Sequence, residues 1–112
     1  MIIRGTEMDM TRGDTESIVV TLQKDGEVVP LKNGDTIYFT VKIDENTEDK
    51  EIQKVITEFV DGKAVIDIEP KDTKHMHFGE YVYDIQYTDR SGNVKTIVRP
   101  SKFIIGGEVT YE

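Results

Sequence analysis

Apolar residues recur at every second position in four stretches of the chain, the mark of strands with one buried face. Ile18, Val20 and Leu22 alternate with Val19, Thr21 and Gln23, and Ile37, Phe39, Val41 and Ile43 alternate with Tyr38, Thr40 and Lys42. Ala64, Ile66 and Ile68 form a third run, and Tyr81, Tyr83, Ile85 and Tyr87 a fourth. Weaker strand signals lie at residues 27–31, 53–59, 94–99 and 102–105, with a final stretch at 108–111 after Gly106-Gly107. Turn chemistry separates the runs. Lys24-Asp25-Gly26-Glu27 and Asp61-Gly62 are hairpin closers, because glycine supplies a positive φ without steric cost, and Asp89–Asn93 provides a third turn. Seven or more short strands at this spacing predict an all-β, immunoglobulin-like antiparallel β-sandwich of about seven to nine strands.

Helix has little room. Residues 70–79 can hold one turn between Pro70 and Gly79, and residues 46–54 are too polar to anchor a helical face. They read as an acidic loop leading into a strand. No repeat of 20–50 residues is present. The expectation is one domain spanning residues 1–112.

Charge narrows the partners. The chain carries 14 basic against 22 acidic residues, a net charge of −8. That balance argues against nucleic acid, whose binders replace phosphate counterions with lysine and arginine, and against anionic membrane surfaces. No apolar run is long enough for a membrane span or a signal-peptide core. With no cysteine, disulfides, thiolate zinc sites and cysteine nucleophiles are excluded together.

Several short motifs invite functional readings, and each has a plainer one. Arg12-Gly13-Asp14 spells the integrin-recognition tripeptide, yet Gly13-Asp14-Thr15 recurs as Gly34-Asp35-Thr36. Both precede strands, where glycine permits a turn and the aspartate carboxylate caps it. Turn geometry is the preferred explanation. His75 and His77 are the only histidines, and nothing near them in sequence completes a metal site. Residues 44–49 offer oxygen ligands without the spacing of a calcium loop, and read as a solvated charge run. None of the three serines sits in a nucleophile-elbow pattern, and no phosphate-cradling glycine loop is present. The expectation is a non-enzyme with no cofactor and no metal.

The corner before the fourth run is more specific. Immunoglobulin-like domains place a small residue and then, two positions on, a tyrosine whose phenol bonds backbone a few residues upstream. Gly79 and Tyr81 have that spacing, and Tyr83 stands where an antibody domain carries its second cysteine. The partner cysteine and core tryptophan are missing, so the expected topology is immunoglobulin-like without being antibody-type. Gly13, Asp14, Gly34, Asp35, Gly79, Tyr81 and Tyr83 are therefore structural candidates.

The order of these features resembles a family of small β-sandwich domains from tailed phages and prophages, the amino-terminal domain of the baseplate upper protein. The resemblance runs from Arg12-Gly13-Asp14-Thr15 and Val29-Pro30-Leu31 to Gly34-Asp35-Thr36-Ile37-Tyr38-Phe39 and Asp61-Gly62, then through Asp72-Thr73 and Gly79-Glu80-Tyr81-Val82-Tyr83 to Phe103-Ile104-Ile105. It covers almost the whole chain. It implies a structural component of a tail or baseplate, produced in the bacterial cytoplasm and located in the virion. Such a protein binds other tail proteins, and self-association is among the contacts expected. It implies no catalytic residue. A receptor-binding module after Glu112 is not expected, so assembly contacts are expected rather than a receptor-binding tip. The tail at 106–112 is expected either to pair with a neighbouring chain or to close the domain's own sheet. The rival from another class is a carbohydrate- or receptor-binding module in which exposed Tyr38, Tyr87 or Tyr111 stacks on a ligand.

Overall fold

The computed structural model describes residues 1–109, with the backbone alone for residues 2–4. Ten strands and one short helix follow one another. They are β1 (Ile2–Arg4), β2 (Glu7–Thr11), β3 (Glu16–Val20), β4 (Leu22–Lys24), β5 (Glu27–Val29), β6 (Thr36–Lys42), β7 (Ile52–Ile56), β8 (Ala64–Ile68), α1 (Pro70–Thr73), β9 (Gly79–Thr88) and β10 (Val94–Gly106). Six of them form one sheet in the order β1-β2-β10-β9-β6-β7, while β3 pairs with β8 and β4 with β5 in two small sheets. The fold is mostly β, with its sheets packed around a shared core.

Alternation explains which face each strand buries. Ile37, Phe39 and Val41 of β6, Tyr81, Tyr83 and Ile85 of β9, and Phe103 and Ile105 of β10 point inward from the large sheet. Ile18 and Val20 of β3 and Ala64, Ile66 and Ile68 of β8 join the same apolar cluster. Phe39, Tyr83 and Phe103 form its aromatic centre, with ring centroids 5.6 to 6.1 Å apart in tilted and edge-on arrangements. Such geometry sets the positive edge of one ring against the negative face of the next.

The structure departs from the expected layout in several ways. The large sheet is not purely antiparallel, because β2 lies parallel to β10, with Phe103 beside Met8 and Ile105 beside Met10. The hairpin of β1 and β2 is an element the alternating pattern missed. Thr21 interrupts the first long run and splits it into β3 and β4. The signals at 94–99 and 102–105 belong to one strand, β10, whose register shifts between Thr96 and Val98 and again between Val98 and Ser101. The second irregularity absorbs Pro100, which has no N–H to give to a regular ladder. Asp61-Gly62 closes a single bridge between Val60 and Lys63 and not a paired hairpin. The final strand signal fails over Glu108 and Val109, and its remainder lies outside the described residues.

The Lys24–Glu27 turn is the tight hairpin of β4 and β5, with Asp25 at φ 53° and Gly26 at φ 80°. Helix α1 is one turn, and Asp72 Oδ2 accepts the Glu69 N–H at 2.7 Å at its start. The same oxygen lies 2.8 Å from Lys54 Nζ, which ties α1 to the edge strand β7.

Candidate functional site

The outer face of the large sheet carries a groove of about 460 Å³. Its floor comes from the outward positions of β6 and β9, and register sets the neighbours. Tyr38 stands directly opposite Gln86, and Thr40 opposite Asp84. On the far side of β6, Thr40 also faces Gln53, whose Nε2 donates to Thr40 Oγ1 at 3.3 Å. Lys42, Glu45 and Lys50 border one end, and Val94 and Pro100 on the irregular β10 border the other side.

The electrostatics of this floor are uneven. Burial pushes the Asp84 carboxyl above the usual aspartate range, and Lys42 only partly offsets it. A desolvated carboxylate resists ionisation because it has lost water without gaining full compensation. The groove can therefore accept hydroxyl or amide donors at Asp84, exchange hydrogen bonds at Gln86, and offer the Tyr38 ring as a stacking surface.

A second concavity lies at a sheet edge. Gly5, Met8, Ile18, Val20, Ile97 and Val98 are among the residues lining an apolar cleft of about 270 Å³ beside β3. Among the described residues strand β3 pairs with β8 on one side only, which leaves its other edge without a strand partner. Exposed Val19 stands on it.

The residues singled out from sequence serve separate local contacts and do not converge on one site. Gly13 and Gly34 occupy the same turn. Asp14 N–H donates to Thr11 O at 3.2 Å and Asp35 N–H to Lys32 O at 3.0 Å, each with a positive-φ glycine just before the aspartate. The carboxylates differ. Asp35 is buried, accepts the Lys32 N–H at 2.9 Å and takes the Tyr87 hydroxyl at 3.2 Å. Asp14 is exposed, and its turn is closed by its backbone N–H and not by a carboxylate cap. Gly13 N–H donates to the hydroxyl of buried Thr73 in α1 at 2.8 Å.

Arg12 is occupied within the fold. Its Nη2 lies 2.7 Å and its Nε 3.1 Å from Glu108 Oε1, and Nη1 donates to Met76 O at 3.3 Å. The guanidinium also sits 4.4 Å over the Phe78 ring. The arginine of an Arg-Gly-Asp tip would need to reach a receptor, and this one faces its own chain. The Gly106-Gly107 pair is likewise anchored. Gly106 belongs to β10, a Cβ on Gly107 would come within 2.9 Å of the Phe78 ring, and Glu108 is held by Arg12.

Gly79 opens β9 at φ 139°, and Tyr81 donates its hydroxyl to His77 O at 2.8 Å. Tyr83 reaches across the core, and its hydroxyl donates to Thr6 O in the β1–β2 turn. Burial raises both phenols above their ordinary range. Tyr87, expected as an exposed stacking residue, is buried with its hydroxyl on Asp35, whereas Tyr38 lines the groove. Tyr111 lies outside the described residues.

His75 and His77 are exposed in the loop after α1, and His75 Nε2 lies 3.2 Å from Glu51. Asp44 Oδ1 accepts the N–H groups of Asn46 and Thr47, each at 2.9 Å, which makes the acidic loop a self-capped turn. Among the described residues no group of three histidines or carboxylates is placed to hold a metal ion, and no helix is long and apolar enough to cross a membrane. No protein-family model matches the chain, and no curated protein is significantly similar to it.

Proposed function

We propose that the chain is an immunoglobulin-like β-sandwich that serves as a non-enzymatic assembly protein of a phage or prophage tail, working through protein–protein contacts. The observation that carries this reading is the open edge of β3 beside an apolar cleft. An unpaired strand edge presents a row of N–H and C=O groups to which another chain can add a strand. The cleft beside it would take that strand's apolar side chains.

Three further features support the immunoglobulin-like topology. The strand β2 runs parallel to β10 at one side of the larger sheet, β3 pairs with β8 in the opposing layer, and the Tyr81 hydroxyl bonds backbone four residues upstream. The tail assignment rests on the resemblance in feature order alone.

Sedimentation of the full chain across a wide concentration range tests the reading, together with capture of identified tail proteins from an induced lysate. Self-association or tail-protein capture that is lost in Val19→Lys, with the thermal midpoint unchanged, is the expected result. A lysine on an edge strand blocks strand addition without disturbing its own sheet. A chain that stays monomeric and captures no tail protein would sink the proposal.

A further inference from the structure

We propose that the groove on the outer face of the large sheet is a binding site for a short neutral oligosaccharide, with Tyr38 stacking on a pyranose ring and Asp84 and Gln86 taking its hydroxyls. This goes beyond the assembly reading and stands on different residues.

The geometry comes from register. Tyr38 opposes Gln86 and Thr40 opposes Asp84 on adjacent antiparallel strands. Opposed Cβ atoms lie about 5 Å apart, and same-face residues about 7 Å apart along a strand. These four side chains therefore frame a rectangle about the size of one sugar ring. At about 460 Å³ the groove has room beyond that ring, and it lies inside the range of small-ligand pockets, about 300–1,000 Å³.

The chemistry is that of a polyhydroxylated, uncharged ligand. Among the described residues the Asp84 carboxylate makes no hydrogen bond or ion pair, although it is partly withdrawn from water. Vicinal hydroxyls are donors suited to such a carboxylate, because two of them can bond its two oxygens together. Gln86 can donate and accept at once. Among the described residues no ring pairing or hydrogen bond engages the half-exposed Tyr38 side chain, which leaves its ring face to the C–H surface of a pyranose. Charge supports a neutral ligand over an ionic one. Lys42 and Lys50 balance Glu45 and Asp84 around the groove, in a chain whose net charge is −8.

The site is also preorganised. Its floor is strand and not loop, and Gln53 holds Thr40 in place, so little side-chain entropy is lost on binding.

A glycan array probed with the labelled full chain, followed by NMR titration of the ¹⁵N-labelled chain with the best neutral oligosaccharide, tests the inference. The expected result is binding of a neutral glycan, with shifts centred on Tyr38, Thr40, Asp84 and Gln86. Affinity should fall at least about tenfold, the equivalent of 1.4 kcal/mol, in both Tyr38→Ala and Asp84→Asn, while Tyr38→Phe retains it because the ring remains. Four results would overturn it: a blank array with a blank titration by maltotriose, cellotriose and chitotriose; selection of anionic glycans only; binding that Asp84→Asn and Tyr38→Ala leave intact while both variants keep the parent spectrum; or ligand-free, concentration-dependent shifts at the same residues, which would assign the groove to a second copy of the chain.

Discussion

Arg12 and Glu108, 96 positions apart in sequence, meet in a forked ion pair in which Oε1 lies 2.7 Å from Nη2 and 3.1 Å from Nε. The pair joins the end of β2 to the segment after β10 and thereby fastens the parallel pairing of these two strands within the large sheet. Arg12 holds the Glu108 carboxyl below the usual glutamate range, with Lys74 adding to the effect and partial desolvation opposing it. A depressed carboxylate stabilises the fold above its unfolded-state value, and that stabilisation is lost as pH falls through the folded value. Replacing Glu108 by Gln should therefore lower the thermal midpoint at pH 7 and converge with the parent in acid. Arg12→Lys should also lower the midpoint, since an ammonium cannot reproduce the two-pronged geometry or the stacking on Phe78. Melting curves of both variants from pH 3 to 7 provide the check.

Removing one oxygen tests the corner at β9. Tyr81→Phe keeps the buried ring and deletes its bond to His77 O, so the expected cost is about 1 kcal/mol. Urea unfolding should show a lower midpoint with an unchanged slope. An unchanged midpoint would mean that the ring's packing, and not the hydroxyl, holds this crossover.

Gly34 and Gly92 make a matched pair for separating strain from collision. Both have positive φ, 95° and 88°, but a Cβ at Gly34 would lie 2.9 Å from Arg90 Cβ, whereas at Gly92 it meets nothing within 4 Å. Gly92→Ala should lose about 1 kcal/mol from backbone strain alone. Gly34→Ala should lose clearly more, and the two denaturation midpoints compared side by side decide the point.

Asp72 of α1 also links stability to pH. Burial would raise its carboxyl, but the Lys54 ammonium, the Glu69 N–H and nearby Lys71 together bring it below the ordinary aspartate range. Its contribution is present above the unfolded value of 3.8 and disappears as pH drops through the folded one. Asp72→Ala should cost about 1 kcal/mol at pH 7, the usual worth of such a helix-terminal acceptor. The difference from the parent should vanish in strong acid.

Much of the architecture was legible because β6, β8 and β9 alternate cleanly. Their inward sets, from Ile37 to Tyr87, are the ones the core buries. The β1–β2 hairpin escaped for a local reason. Its apolar positions are Met8 and Met10, alternating with Glu7, Asp9 and Thr11, and methionine carries little strand preference. Neighbouring β10 supplies the pairing that fixes it, and no local pattern announces a partner some 95 residues away. Pro100 made β10 look like two strands, since a proline in a ladder is tolerated only at a bulge or edge. Tyr87 was legible in its own alternation with Tyr81, Tyr83 and Ile85, and that periodicity outweighs the appeal of a tyrosine as a ligand-stacking residue. The groove residues Asp84 and Gln86 read in sequence as an ordinary polar face. Only strand register reveals that they stand opposite Thr40 and Tyr38.

The place of β10 between β2 and β9 bears on how the chain is made. Until the ribosome has released residues 94–106, β2 and β9 both face a gap, and the nascent polypeptide carries two raw edges at once. Completion of the sheet therefore waits for β10, and a chain truncated before it is the species most exposed to misassociation.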